Sequence, residues 1–350
     1  MSLILKKLTE QIIKWYNKNK RDLPWRDNKD PYIIWVSEII LQQTQIKTGI
    51  PYFKKFIKKF PNIESLANSQ EKELLKIWEG LGYYNRALNM LETAKIIVFN
   101  LNNIFPNKYQ DLLKLKGIGS YTAAAISSIC FDQKIGVVDG NVYRVLTRYY
   151  NIEDPINQIG TKRKIQEIAN KLVTHKKPGL YNQAIMDFGS IQCKKHEPKC
   201  DICPLKNKCK SFKANTVKFR PVKSNKKYQK KRYLNYFICC NKKKIIINQR
   251  DSSNIWKKLY ELPLIETNKE YSTIEALQND YFKNKKVSKM QLLQKMTHHL
   301  SHQKLIISFW LIESQLNEPI LKQKMIHISE IQNFPFPKPI QKFLQLFFNK

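Results

Sequence analysis

Four of the seven cysteines crowd into one short stretch, Cys193, Cys200, Cys203 and Cys209, in the pattern C-x6-C-x2-C-x5-C. No other feature constrains the fold as strongly. Four thiolates so placed can hold either a [4Fe–4S] cluster or one structural zinc. Zinc ribbons usually present two separated C-x2-C pairs, and this stretch has only one. Ordinary core cysteines are not the expected reading, because Lys194, Lys195, His196, Lys199, Lys206 and Lys208 leave them no apolar face. Cys130, Cys239 and Cys240 are scattered through apolar surroundings. An odd total with one tight group fits a metal site in a reducing compartment better than a disulfide framework.

The 350 residues suggest two domains. The formal net charge of +34 favours a polyanionic partner, although a Lys-, Asn- and Ile-rich composition by itself accounts for part of it. Residues 1–7 run straight into charge and lack the apolar stretch of a signal peptide. No run reaches the roughly 18 apolar residues of a membrane span. The expectation is a cytoplasmic protein without a membrane partner.

Helical spacing dominates the first half. Leu5, Leu8, Ile12 and Trp15 mark an opening amphipathic helix. Asp30-Pro31 reads as an N-cap and first-turn proline, opening a helix through Ile46. Further helices are expected over 71–78, 84–100, 109–115 and 121–130, and from Asn141 and Tyr181 onward. No acidic residue occurs from Ile202 through Arg250, and 213–232 reads as a basic, exposed linker. Strands are expected over 233–240, 244–248 and 304–312, with helices over 272–282 and 339–348. The expected organisation is a helical domain over 1–212, a linker over 213–232 and an α+β domain over 233–350.

Two more features carry chemistry. In Leu115-Lys116-Gly117-Ile118-Gly119-Ser120-Tyr121, two helices meet at a G-x-G turn. Gly117 and Gly119 would let its amides approach a DNA phosphate at the next helix N-terminus, or the turn is an ordinary interhelical one. The second is a pair of carboxyls. Glu38 lies in a mainly apolar helix, where burial would keep it protonated. Asp139 precedes a helix whose dipole would keep it anionic. Such a pair suits acid-assisted glycosidic cleavage. A satisfied core acid and a plain N-cap are the alternatives.

In order, these stretches resemble the helix–hairpin–helix DNA glycosylase superfamily, and within it the adenine DNA glycosylases. The resemblance covers nearly the whole chain. It rests on Leu23-Pro24-Trp25-Arg26, Ser37-Glu38 through Gln45, Gly80-Leu81-Gly82-Tyr83-Tyr84, the Gly117 hairpin, Val138-Asp139-Gly140-Asn141, Tyr181-Asn182-Gln183-Ala184 and the four cysteines. The fold it implies is a mainly α helix–hairpin–helix glycosylase domain with an iron–sulfur cluster loop, then a smaller α+β Nudix-like domain. It implies that Glu38 protonates adenine and that Asp139 stabilises the sugar cation, assisted by Asn141 and Tyr121. Trp25, Arg26 and Gln183 would line an adenine pocket. Gln43 and Tyr83 would wedge beside the orphaned base, and Cys193, Cys200, Cys203 and Cys209 would hold a [4Fe–4S] cluster. The implied partner of this monomer is double-stranded DNA with adenine opposite 8-oxoguanine or guanine.

Position 121 separates the resemblance from the related endonuclease III enzymes, which carry a Schiff-base lysine there. Tyrosine forms no Schiff base, so the implied enzyme is monofunctional and leaves an abasic site. Thr297-His298-His299-Leu300-Ser301-His302 resembles the loop with which the Nudix-like domain recognises 8-oxoguanine. Ser301 and His302 would supply hydrogen bonds, while Leu300 stands where an aromatic residue is usual. Lys257-Lys258 follows Trp256 where small residues are usual. No R-E-x-x-E-E helix follows Trp256, so pyrophosphatase activity is not expected.

Overall fold

The computed structural model describes residues 3–173, 177–224, 230–241, 243–250, 255–271, 287–300, 302–314 and 323–348. Helix α1 (Leu3–Asn19) buries Leu8, Ile12, Trp15 and Tyr16 along one stripe. Helix α2 (Pro31–Leu41) opens as the sequence predicts: Asp30 accepts the Tyr32 amide, and Pro31 sits where a missing N–H costs nothing. It ends at Leu41, not at the expected Ile46. Residues 42–45 bury no large apolar side chain, and Gln43 turns to a left-handed φ of +57°, which no α-helix continues. Helix α3 (Ile46–Lys59) then starts afresh.

Next come α4 (Ile63–Ala67), α5 (Glu71–Trp78) and α6 (Asn85–Lys95), the last running into a π-helical turn over Ile96–Asn100. Helix α7 (Tyr109–Leu112) is shorter than expected, because the hairpin turn already begins at Leu115, whose carbonyl accepts the Ile118 amide. Helices α8 (Ser120–Cys130), α9 (Gly140–Tyr150), α10 (Ile159–Leu172), α11 (Pro178–Asp187) and the short α12 (Lys210–Lys213) complete the helical part. No helix among the described residues is long and apolar enough to cross a membrane.

The chain divides into two units, Met1–Asn68 with Asn89–Asn225, and Ser69–Leu88 with Lys226–Lys350. Helix α5 and the turn after it therefore pack with the second unit. Its strands are β1 (Lys230–Asn241), β2 (Lys244–Gln249), β3 (Tyr260–Glu261), β4 (Leu264–Thr267), β5 (Val287–His299), β6 (Gln303–Ser314) and β7 (Gln323–His327). They form one sheet in the order β3-β2-β1-β6-β5, with β4 on β1 and β7 on β2. The β1–β6 pairing is parallel, from Lys230 opposite Gln303 to Cys239 opposite Ile312. Helix α13 (Lys338–Phe348) covers the sheet, its Phe343 ring stacked on Phe309 at 3.8 Å. Tyr236, Ile245, Ile307, Phe336 and Leu344 fill the core between.

The expected linker over 213–232 is shorter in the structure. Arg220 within it is buried, and β1 already runs from Lys230. Arg232 is buried too, its guanidinium forked onto Glu266 by two contacts of 2.6 Å. Pairing is what admits a charged residue to a strand interior. The expected helix over 272–282 lies outside the described residues.

Candidate active site and cysteine pocket

Helix α2 buries every residue from Tyr32 to Ile40. Glu38 is only 7% exposed there. Tyr121, one residue into α8, donates to Glu38 Oε2 at 2.5 Å and lies 3.2 Å from Met186 Sδ on α11. Burial pushes the Glu38 carboxyl up to about 7; the Tyr121 hydroxyl works against that shift, and the Asp139 charge adds to it. Tyr121→Phe is expected to raise the Glu38 pKa further. Any reaction step that needs acidic Glu38 then persists to higher pH, which a pH–rate profile measures.

Asp139 is the extended N-cap of α9. Its Oδ1 accepts the amides of Asn141 at 2.9 Å and Val142 at 2.7 Å, and its Oδ2 accepts Asn141 Nδ2 at 2.6 Å. The sequence expects the helix N-terminus to keep this carboxyl anionic. In the structure burial outweighs these donors and moves it above its ordinary value. The two carboxyls still differ in kind. Asp139 has three N–H donors and Glu38 a single hydroxyl, so the pair's negative charge belongs on Asp139.

Arg26 is buried, and its guanidinium meets Asp187 Oδ1 at 2.7 Å. Gln183 accepts the Tyr16 hydroxyl at 3.3 Å and donates to the Arg26 carbonyl at 3.4 Å. Trp25 packs edge-on against Phe53, centroids 4.9 Å apart. Asp187, fully buried and also gripped by Arg21, is a member that sequence reasoning missed. Its signal was an acid inside the apolar run Ile185-Met186-Asp187-Phe188. Arg144 and Arg148 were missed as well. On one face of α9, Arg144 donates to Asn141 Oδ1 at 2.8 Å and to the Cys193 carbonyl at 2.7 Å. One turn on, Arg148 donates to Cys193 Sγ at 3.4 Å and to the Lys194 carbonyl at 2.7 Å.

The four cysteines line one cavity together with Arg148, Pro198, Phe212 and Val217. Burial raises the thiols of Cys200, Cys203 and Cys209, that of Cys203 to about 12. Among the described residues, no three His, Cys, Asp or Glu side chains converge on one point as a single metal ion would need. The donor set is four thiols around a shared, largely apolar space, a chemistry that suits an iron–sulfur cluster or a zinc ion.

At the hairpin, Gly117 takes φ +80°, and a Cβ there would come within 2.8 Å of Asn89 Cβ. Gly119 is the N-cap of α8 at φ −88°, and no described atom lies within 4 Å of the place a Cβ would take. Fold and packing thus require Gly117 but not Gly119. Gly117→Ala is expected to destabilise by more than about 1 kcal/mol, since its φ is positive. Gly119→Ala should keep the melting temperature and weaken duplex binding, lowering the salt slope by roughly one phosphate. Melting curves and binding titrations at several salt concentrations separate the two.

Tyr83 lies in the second unit, 47% exposed at φ +51°, with the Arg86 guanidinium 5.6 Å over its ring. Gln43 lies in the first unit, at the left-handed turn that ends α2. His302 is exposed, and Ser301 lies outside the described residues.

Residues 36–175 match the model of the HhH-GPD superfamily base excision DNA repair proteins, and 235–346 match that of the NUDIX domain. An adenine DNA glycosylase of Buchnera aphidicola subsp. Baizongia pistaciae is 39% identical over 342 residues, covering 96% of this chain and 95% of that one. The human adenine DNA glycosylase is 40% identical over 210 residues, 57% of this chain and 38% of that one. Among solved structures, a thermostable thymine-DNA glycosylase superposes with a TM-score of 0.56 at 30% identity, over 60% of this chain and 97% of that one. An endonuclease III–DNA complex shares the fold, at a TM-score of 0.52 and 20% identity, over 61% of this chain and 96% of that one.

A helix–hairpin–helix unit with a carboxyl pair, Glu38 buried and Asp139 half-buried, followed by a NUDIX-like sheet domain, defines a base-excision DNA glycosylase. With tyrosine in place of a Schiff-base lysine it is a monofunctional one. More narrowly, the chain belongs to the adenine DNA glycosylase family.

Proposed function

We propose that this enzyme removes adenine paired with 8-oxoguanine or guanine in double-stranded DNA and leaves an abasic site. The observation that carries this reading is the unequal carboxyl pair: Glu38 buried and shifted to about 7, Asp139 held by three donors. The basic surface meets the duplex, with Gly119 leaving room for a phosphate. Adenine is turned out of the stack, at a cost of a few kcal/mol that is lower at a mispair. Arg26, Gln183 and Trp25 bound its pocket. Glu38 delivers its proton to the base as the glycosidic bond breaks. Asp139, braced by Asn141, faces the oxocarbenium-like sugar until water adds, and Tyr121 orients the Glu38 carboxyl. Contact with the opposite base and its neighbours is assigned to Gln43 in the first unit and, in the second, to Tyr83, Ser301 and His302.

The thiols of Cys193, Cys200, Cys203 and Cys209 suit a [4Fe–4S] cluster, which would tie the lysine-rich loop to α9. When bound, that cluster would supply a fixed, thiolate-ligated cross-link; iron and sulfide quantitation of purified protein tests it. We assign the catalytic part to 1–212, apart from 69–88, which pack with the second unit, and the recognition part to 230–350. The enzyme is read as a monomer of the reducing cytoplasm.

A single-turnover assay tests the reading, on adenine opposite 8-oxoguanine, guanine or thymine, with and without hot alkali. Strand breaks should appear only after alkali, opposite 8-oxoguanine and guanine but not thymine. Breaks without alkali, or equal release opposite thymine, would overturn it.

A further inference from the structure

The second unit contains a cavity of about 240 Å³ whose walls include Tyr83, Trp256, His298, His299, Leu300 and Lys338. Small-molecule pockets start near about 300 Å³, so this one suits a single base better than a whole free nucleotide. Its aromatic walls come from two separate segments, and both are held in unusual backbone. Tyr83 lies at φ +51° and Trp256 at φ +64°, strained conformations that are uncommon for bulky residues outside turns and functional sites.

The Tyr83 turn is pinned from inside the unit. Gly82 O accepts Trp78 Nε1 and Arg86 Nη2, each at 3.0 Å, and the Gly80 amide donates to Tyr84 Oη at 3.1 Å. Helix α5 before it is tied to the sheet domain by Glu79 Oε1, which accepts the Phe336 amide at 3.3 Å. A contact of 3.7 Å between Lys258 and Glu71 adds to this. The Trp256 ring lies 6.1 Å from that of His298, tilted by 48°. His298 is half-buried on β5, the last strand of the sheet order. Burial, then the neighbouring His299 and Lys338, hold its imidazole below the ordinary value. A neutral imidazole offers one donor and one acceptor nitrogen, so it can make one hydrogen bond of either sense to a base edge.

We propose that Trp256 and His298 are specificity residues for the orphaned purine: the base stacks against the Trp256 side of the cavity, and His298 reads its edge. This rests on the opposite-base reading above. Leu300 offers an apolar contact but no ring, so Trp256 provides the flat surface on that side. Lys338, exposed at the start of α13, supplies a cation for the adjoining phosphate.

The test uses the full chain and duplexes with an abasic analogue opposite 2-aminopurine or a pyrimidine. Wild type should quench 2-aminopurine on binding and prefer the orphaned purine. Trp256→Leu should cut that preference by roughly fivefold to 150-fold, the range for losing one base–aromatic stack, and relieve the quench. Trp256→Phe should restore most of both, and His298→Leu should lower the preference alone. Unchanged quench and preference in folded Trp256→Leu and His298→Leu overturn the proposal. His298→Leu, on the sheet edge, decides where Trp256→Leu does not fold. If Tyr83→Ser shifts the preference and these variants do not, this inference falls alone. If none shifts it, the opposite-base reading falls too. Free deoxyguanosine monophosphate competing as well as the duplex would also overturn it, by making the cavity a free-nucleotide site.

Discussion

Glu38→Gln is expected to slow single-turnover adenine release by roughly 10²- to 10⁴-fold, the contribution of a general acid, with duplex affinity unchanged. Glutamine keeps the volume and can still accept the Tyr121 hydroxyl; it has no acidic proton to give. The pH dependence has a definite sign. With the carboxyl at about 7, the acid form dominates below that pH, and the rate should fall about tenfold per unit well above it. Protonation of Asp139 closes the acid side of the profile. Stability follows the same titration. The folded value of about 7 lies above the ordinary 4.5, so the folded state holds the proton longer. The stabilising contribution is complete below about 4.5 and is lost as the pH rises through about 7. Above that, wild type carries a buried charge costing up to about 3 kcal/mol, which Glu38→Gln avoids. Urea unfolding should therefore find the variant more stable than wild type at alkaline pH but not in acid. Loss of DNA binding in parallel with activity would make Glu38 a structural residue instead.

What the sequence revealed and what it hid have separate physical causes. The Asp30-Pro31 cap, the G-x-G turn and the cysteine spacing are local, and each was legible because the neighbours that determine it are adjacent in the chain. Helix α10 was overlooked because its apolar residues are few: Thr161, Ile165, Ala169 and Leu172 are buried among lysines, and Ile159 points to solvent. Strand β5 was overlooked because half of it, on a sheet edge, is polar or exposed, including Gln291, Lys295 and Thr297. The left-handed Gln43 has no sequence signal, since glutamine is not a residue that favours such a turn. Membership of 69–88 in the second unit involves long-range contacts such as Glu79 with a backbone amide 257 positions away. Residue types can nominate Glu38 and Asp139. Only packing shows that Asp187 organises Arg21 and Arg26, or that α9 carries guanidinium groups toward the cysteines.

That last connection predicts a second large effect. Arg144→Met is expected to lower the rate of base release by about 10- to 100-fold, as loss of an outer-shell partner does. Arg144 is 9% exposed; of its partners Gly189 is buried, while Asn141 and Cys193 are half-buried. Without it, Asn141 Oδ1 and the Cys193 carbonyl lose a donor, and the buried Gly189 carbonyl is left unpaired at about 1–3 kcal/mol. Asn141 is then free to rotate, and Asp139 Oδ2 loses the amide that holds it at 2.6 Å. The Asp139 carboxyl should rise further and ionise less, so the acid side of the pH profile should move to higher pH. Lysine is no substitute, because one ammonium cannot reproduce a fork that spans four acceptors, the Gly140 carbonyl included. Gly189→Ala should act on the same joint, since a Cβ there would come within 2.8 Å of both Asn141 Cβ and the Asn141 carbonyl oxygen. The two variants should share a lowered kcat and a shifted acid limb, with DNA affinity near wild type. A folded Arg144→Met enzyme with the wild-type rate and pH profile would mean that this arginine only fastens the cysteine loop, and that Asn141 holds Asp139 unaided.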